Sequence, residues 1–188
     1  MTTYDFVHLA FFAWGEKVQG RTKLQKLIYF LGIITESSQE LGYRAHFYGP
    51  YSAEVASAVD DLRSMGFLDH SVTSFGADRA GFETARYDYS LNEQGTLIAR
   101  QKMKSDSLLW KRISAGVEIL KNAGDIDYVK LSIAAKTYFM LGEKKGGGHT
   151  SELARFADKF GWKVTQEQVQ EAVAYLQKLG LVAERAAK

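Results

Sequence analysis

Gly20-Arg-Thr-Lys-Leu-Gln-Lys-Leu-Ile-Tyr-Phe-Leu-Gly32, followed by His46-Phe-Tyr-Gly-Pro-Tyr-Ser52 and then by Val55 to Leu68, is the part of the chain on which every other assignment rests. Thr22 with Gln25 has the form of a capping box, in which each side chain answers an orphan backbone donor, and it predicts a helix beginning at Lys23. Leu24, Leu27, Ile28, Leu31 and Ile34 recur at helical steps, forming one apolar stripe and turning Lys23, Lys26 and Tyr29 away from its centre. A second helix carries Val55, Val59, Leu62 and Met65 and stops at Gly66. Between the two, Tyr43 to Tyr48 alternates in the manner of a short strand, and Gly49-Pro50 breaks the chain before Tyr51 or Ser52 opens the next helix. The pair reads as a helix-turn-helix-like module.

Working outward, Tyr4 to Trp14 is apolar nearly all round and suits a buried first helix, with His8 going with it as a satisfied core or edge histidine. Downstream, Leu68 to Phe75 and Phe82 to Leu91 alternate about a turn at Gly76–Gly81, which predicts a β-hairpin with Tyr87, Tyr89 and Leu91 on one face. Glu93 to Lys104 then forms a closing helix. Helices followed by a hairpin make the order of a winged helix.

Gly20 to Phe30, Phe47 to Ser52 and the Leu62 to Leu68 ending together resemble the YwgA family of uncharacterised bacterial and archaeal proteins. More distantly, the Lys-x-x-Lys-Leu-x-Tyr and Tyr-Gly-Pro elements are similar to Panacea, the domain of SocA-like antitoxins. The resemblance covers roughly the first half of the chain. It implies no activity from the first family and, from the second, the binding of a toxin or regulatory partner.

The last third contains an internal repeat. Val55, Val59, Leu62, Met65, Gly66, Phe67 and Leu68 align without a gap on Val169, Val173, Leu176, Leu179, Gly180, Leu181 and Val182. Ser107 to Lys121 and Val129 to Leu141 read as helices, Thr150 or Ser151 as the cap of another over Leu153 to Phe160, and Thr165 with Gln168 as a second capping box. Lys144-Lys-Gly-Gly-Gly-His149 reads as a mobile loop and lacks the spacing of a phosphate-binding loop. The expected fold is therefore α+β and mainly α-helical. It consists of two winged-helix-like (helix-turn-helix) units in tandem, a domain over residues 1–105 with a hairpin wing and a helical unit over 106–188.

With 24 basic against 22 acidic residues the net charge is +2, so any basic surface has to come from local clustering. The absence of cysteine excludes disulfides, thiolate metal sites and a cysteine nucleophile. The four histidines are scattered without metal-ligand spacing, and neither a nucleophile elbow nor a dinucleotide fingerprint is present. No catalytic residue, metal or cofactor is expected. The apolar run Val7 to Trp14 is too short to span a bilayer and carries no signal-peptide features, which places the chain in the cytoplasm without membrane contact.

Two functional readings compete. As a non-enzymatic winged-helix protein binding double-stranded DNA or regulating transcription, it would use Arg21, Lys23 and Lys26, with Arg79 and Arg86 on the wing. The basic window Arg100, Lys102, Lys104, Lys111 and Arg112 supports this reading. Glu54, Asp60 and Asp61 on the helix that would enter the major groove oppose it. As a protein-protein interaction module, an adaptor or an antitoxin-like protein, it would use Tyr48, Tyr51, Ser52 and Glu54.

Overall fold

The computed structural model describes residues 2–15, 17–77, 83–144 and 149–183. Most of the expected hairpin turn and the centre of the glycine-rich loop, residues 78–82 and 145–148, lie outside these residues. The elements run α1 (Thr3–Trp14), β1 (Val18–Gln19), α2 (Arg21–Ile34), α3 (Ala53–Ser64), β2 (Leu68–Ala77), β3 (Glu83–Leu91) and α4 (Glu93–Ser105). After these come α5 (Ser107–Asn122), α6 (Tyr128–Glu143), α7 (Thr150–Phe156), a 3-10 turn at Ala157–Phe160, and α8 (Gln166–Lys178). The chain is α+β and mainly helical, with one three-stranded antiparallel sheet in the order β1-β3-β2.

The expected hairpin is present, with Leu68 opposite Leu91 and Val72 opposite Tyr87, and Tyr89 buried on its inner face. Val18–Gln19 adds a third strand that periodicity does not signal, pairing with Tyr89 and Asp88. Tyr43 to Tyr48 is not a strand: a single bridge joins Arg44 to Tyr51.

α2 begins at Arg21, earlier than the capping-box pattern predicts, and its cap is Gly20 at φ 88° with no side-chain bond. Gln25 explains the difference. Its carboxamide is buried and taken up by the backbone of Ser52, so it does not turn back to Thr22. Lys26 and Tyr29 are also buried, at 2% and 6% exposure, because α3, α5 and α6 enclose α2 on several sides. Ser52 caps α3 through its Oγ, which accepts from the Val55 N–H at 2.9 Å. α7 begins with His149 at its cap and no side-chain bond, so neither Thr150 nor Ser151 serves there.

The internal repeat corresponds to one kind of helix stop used twice. Phe67 N–H donates to the Leu62 carbonyl and Leu181 N–H to that of Leu176, around Gly66 at φ 73° and Gly180 at φ 70°. That left-handed glycine stop closes α3 and α8 alike. The capping box of Thr165 and Gln168 forms as expected.

The main core does not divide at residue 105. Leu109, Ile113, Val117, Leu131, Ala134 and Leu176 belong to the same buried cluster as Phe6, Phe30, Leu62 and Tyr89. α5 approaches α2 closely because Gly116 is there: a Cβ would fall 2.7 Å from Leu31 Cδ1. A smaller cluster of Met140, Leu153, Ala157, Trp162 and Val169 knits α6, α7 and α8 together.

His8 ties α1 to α4. Its ring lies against Phe67, and its Nε2–H donates to the Gly95 carbonyl at 2.9 Å, leaving Nδ1 without a hydrogen-bond partner among the described residues. Burial pushes its pKa below the ordinary value, keeping the ring neutral. At this junction a Cβ on Gly95 would fall 2.3 Å from the Phe67 carbonyl oxygen. Alanine gains about 1 kcal/mol of helix propensity, while overpacking costs about 1–3 kcal/mol, and here the obstacle is backbone. Gly95→Ala is therefore expected to lower stability by about 1–2 kcal/mol, read as an earlier urea midpoint; an unchanged or later midpoint contradicts this packing.

Candidate functional site

Residues 44–52 form an elbow between α2 and α3 that lacks strand pairing, so its backbone groups are answered one at a time. Arg44 and Tyr51 exchange two hydrogen bonds of 2.9 Å, and Gly49 N–H donates to the His46 carbonyl. From beneath, Gln25 Nε2 donates to the Ser52 carbonyl at 2.9 Å while Ser52 N–H donates to Gln25 Oε1 at 3.1 Å. Lys26 Nζ donates to the Pro50 carbonyl at 2.6 Å, and Trp162 Nε1 to that of His46 at 2.7 Å. Gly49 adopts φ 98°, which disfavours a side chain, and it sits close over Lys26 and Lys136, where a Cβ would fall 3.1 Å from Lys136 Cγ. The base of the elbow is thus fixed by α2 and by the C-terminal helices.

Its tip is bare. Phe47 is 82% and Tyr48 70% exposed, with the His46 ring set between Phe47 and Tyr51. Among the expected partner-binding residues, Tyr48, Tyr51 and Glu54 lie on the surface, whereas Ser52 is fully buried and serves as the α3 cap. Phe47 and His46 were missed by sequence reasoning, since no helical or strand period governs an elbow. Beside it a hollow of about 120 Å³ opens between α2 and α3, bordered by Arg21, Tyr51, Asp60 and Tyr89.

The expected nucleic-acid cations are largely engaged. Arg21 Nε donates to the Tyr89 hydroxyl at 3.1 Å, and its guanidinium lies 3.9 Å from the Tyr87 ring centre. Lys23 is paired with Asp125 at 2.6 Å, and Arg86 holds the buried Asp88 through two bonds of 2.9 and 3.1 Å. Lys26 lies in the interior, and Arg79 lies outside the described residues. Arg21, Lys23 and Arg86 do border one groove of about 710 Å³, together with Phe75, Asp125 and Asp127. Among the described residues no group of acids and histidines is arranged to hold a metal, and no helix is long and apolar enough to cross a membrane.

Lys26 and Lys136 form a pair of amines under Gly49. Burial, and secondarily the charge of Lys136, pushes the Lys26 pKa down to about 8; burial also lowers that of Lys136. A lysine whose pKa is depressed on folding loses its proton in the native state first. Between about pH 8 and the ordinary lysine value the unfolded chain holds more protons, so raising pH favours the native state. Lys26→Met is expected to fold and to lose that rise, measured as wild-type minus variant stability by denaturant titration from about pH 7.5 to 10. Parallel curves for the two proteins contradict it.

No family model matches the chain. The chain is 38% identical over 85 residues to the uncharacterised protein YwgA of Bacillus subtilis (strain 168), a match covering 45% of this chain and 47% of that relative. The chain spans about half the length of the relative it matches. Over that shared stretch the chain is YwgA-like.

Proposed function

We propose that the chain is a non-enzymatic protein-docking module whose contact surface is the aromatic elbow and the adjoining face of α3. The observation that carries this reading is the exposure of Phe47 and Tyr48 on a base fixed by Gln25, Lys26 and Trp162. An ordered, exposed aromatic loses little conformational freedom on binding, and each large ring brings about 150–250 Å² of contact area. Glu54, Asp60 and Asp61 line the neighbouring helix and Arg63 is already paired with Asp60, so the surface favours a partner with an apolar groove rimmed by Lys and Arg.

The scaffold reading is a winged helix over residues 3–91. It is supported by the order α1, β1, α2, α3, β2, β3 and by a sheet in which β1 and β2 flank β3. In such a unit α3 would face the major groove, and its carboxylates would be repelled by phosphate. An antitoxin-like or adaptor role fits the same surface. The competing nucleic-acid reading draws on Arg100, Lys104 and Lys111, which are exposed on α4 and α5.

A photo-crosslinking residue at position 47 identifies the contacting protein, and the purified pair then gives the measurement. Phe47→Ala is expected to weaken that complex by about thirtyfold, and Asp60→Lys with Asp61→Lys to weaken it further at low salt. Random duplex DNA is expected not to bind in anisotropy titrations. Duplex affinity that falls steeply with salt, with the crosslinked complex indifferent to Phe47→Ala, overturns the docking reading in favour of nucleic acid.

A further inference from the structure

A cavity of about 440 Å³ opens where β1 and α2 meet α5, α8 and the connection from α5 to α6, away from the elbow. Its size falls within the roughly 300–1,000 Å³ of small-molecule sites. The floor is apolar, built from the buried Leu27, Leu120 and Leu131 with Trp14 beside them. Beneath it lies a void of about 20 Å³, lined only by apolar side chains including Phe11, Ile28 and Val117, which extends the floor inward. An apolar space of this kind offers water no hydrogen bonds and favours hydrocarbon.

The rim has the opposite character. Among the described residues, Lys17, Lys23 and Lys121 line it together with the carboxylate of Asp125. Each ammonium is positioned by a protein acceptor: Lys17 donates to Ser71 Oγ at 2.8 Å, Lys23 to Asp125 at 2.6 Å, and Lys121 to the Trp14 carbonyl at 2.8 Å. Asp125 itself is 81% exposed, so its pairing with Lys23 is screened and readily exchanged. Tyr175 stands in the wall, 8% exposed. Burial, and then the charge of Asp125, pushes its pKa up to about 12, so the hydroxyl keeps its proton at neutral pH.

We infer that this cavity binds a small amphipathic anion, with a carboxylate among the rim lysines and Tyr175 and an apolar body over the leucine floor. The three features select together. A simple anion gains only solvent-screened charge, a neutral alcohol forgoes the charge-assisted hydrogen bonds, and an amphipathic amine meets a rim of its own sign. The site lies between elements from both halves of the chain and is independent of the docking surface.

Isothermal titration of the full chain with octanoate, acetate, octanol and octylamine tests the inference. Octanoate is expected to bind at a single site, acetate and octanol at least about tenfold more weakly, and octylamine not at all. Tyr175→Phe, which removes one oxygen from a buried ring, and Lys17→Met, at an exposed position, are each expected to weaken octanoate by about fivefold or more while leaving the melting temperature near wild type. Octanoate binding no tighter than octanol, binding that does not saturate at one site, or binding unchanged in both variants overturns it.

Discussion

The carboxamide of Gln25 answers both backbone groups of Ser52, and the exposed end of the molecule depends on that exchange. Ser52 is at once the end of an elbow without strand pairing and the cap of α3, so an error there would misplace a helix as well as a loop. The net value of each hydrogen bond is only about 1 kcal/mol, but leaving such a buried group unanswered costs about 1–3 kcal/mol. Lys26 performs the same task two residues earlier, at the Pro50 carbonyl, and it does so as an amine in an interior that disfavours its charge. The α2 helix thus gives up two polar side chains to secure a segment that makes no sheet of its own.

That arrangement separates order from burial in the elbow. The base residues Gly49, Pro50 and Ser52 are enclosed, while Phe47 and Tyr48, one turn away, meet solvent. Large rings on a mobile loop would lose much of their contact energy to ordering on association. Here the ordering is already done by contacts from α2 and from Trp162, which belongs to the far end of the chain.

Much of the fold was legible because it follows local periodicity. The apolar stripes of α2, α3 and α8, the hairpin alternation and the glycine stops after Met65 and Leu179 appear where the spacing places them, except that Met65 itself lies beyond the end of α3 and is exposed. What was not legible is set by long-range contact. Gln25 matches a capping box in sequence, yet a partner 27 residues away claims its side chain. Lys26 reads as a surface cation because charge is the usual warrant for exposure, and only the packing of three helices around α2 reverses that. Val18–Gln19 is too short to carry a period and becomes a strand through Tyr89 and Asp88. For the site residues, the aromatic character of the Tyr48–Tyr51 stretch pointed to the elbow, but the pairing of Lys23 with Asp125 and of Arg86 with Asp88 had no sequence signal strong enough to discount them as free cations.

The continuity of the main core across residue 105 bears on how the chain comes apart. α5 covers apolar surface on both α1 and α2, and α6 covers α2 again, so the two halves share one main core beside the smaller cluster of α6, α7 and α8. The tandem appearance of the sequence coincides with a repetition of the same helix stop after α3 and α8. Packing shared in this way favours opening of both halves together, and it puts the amides of α2, at its centre, among those expected to exchange with solvent last.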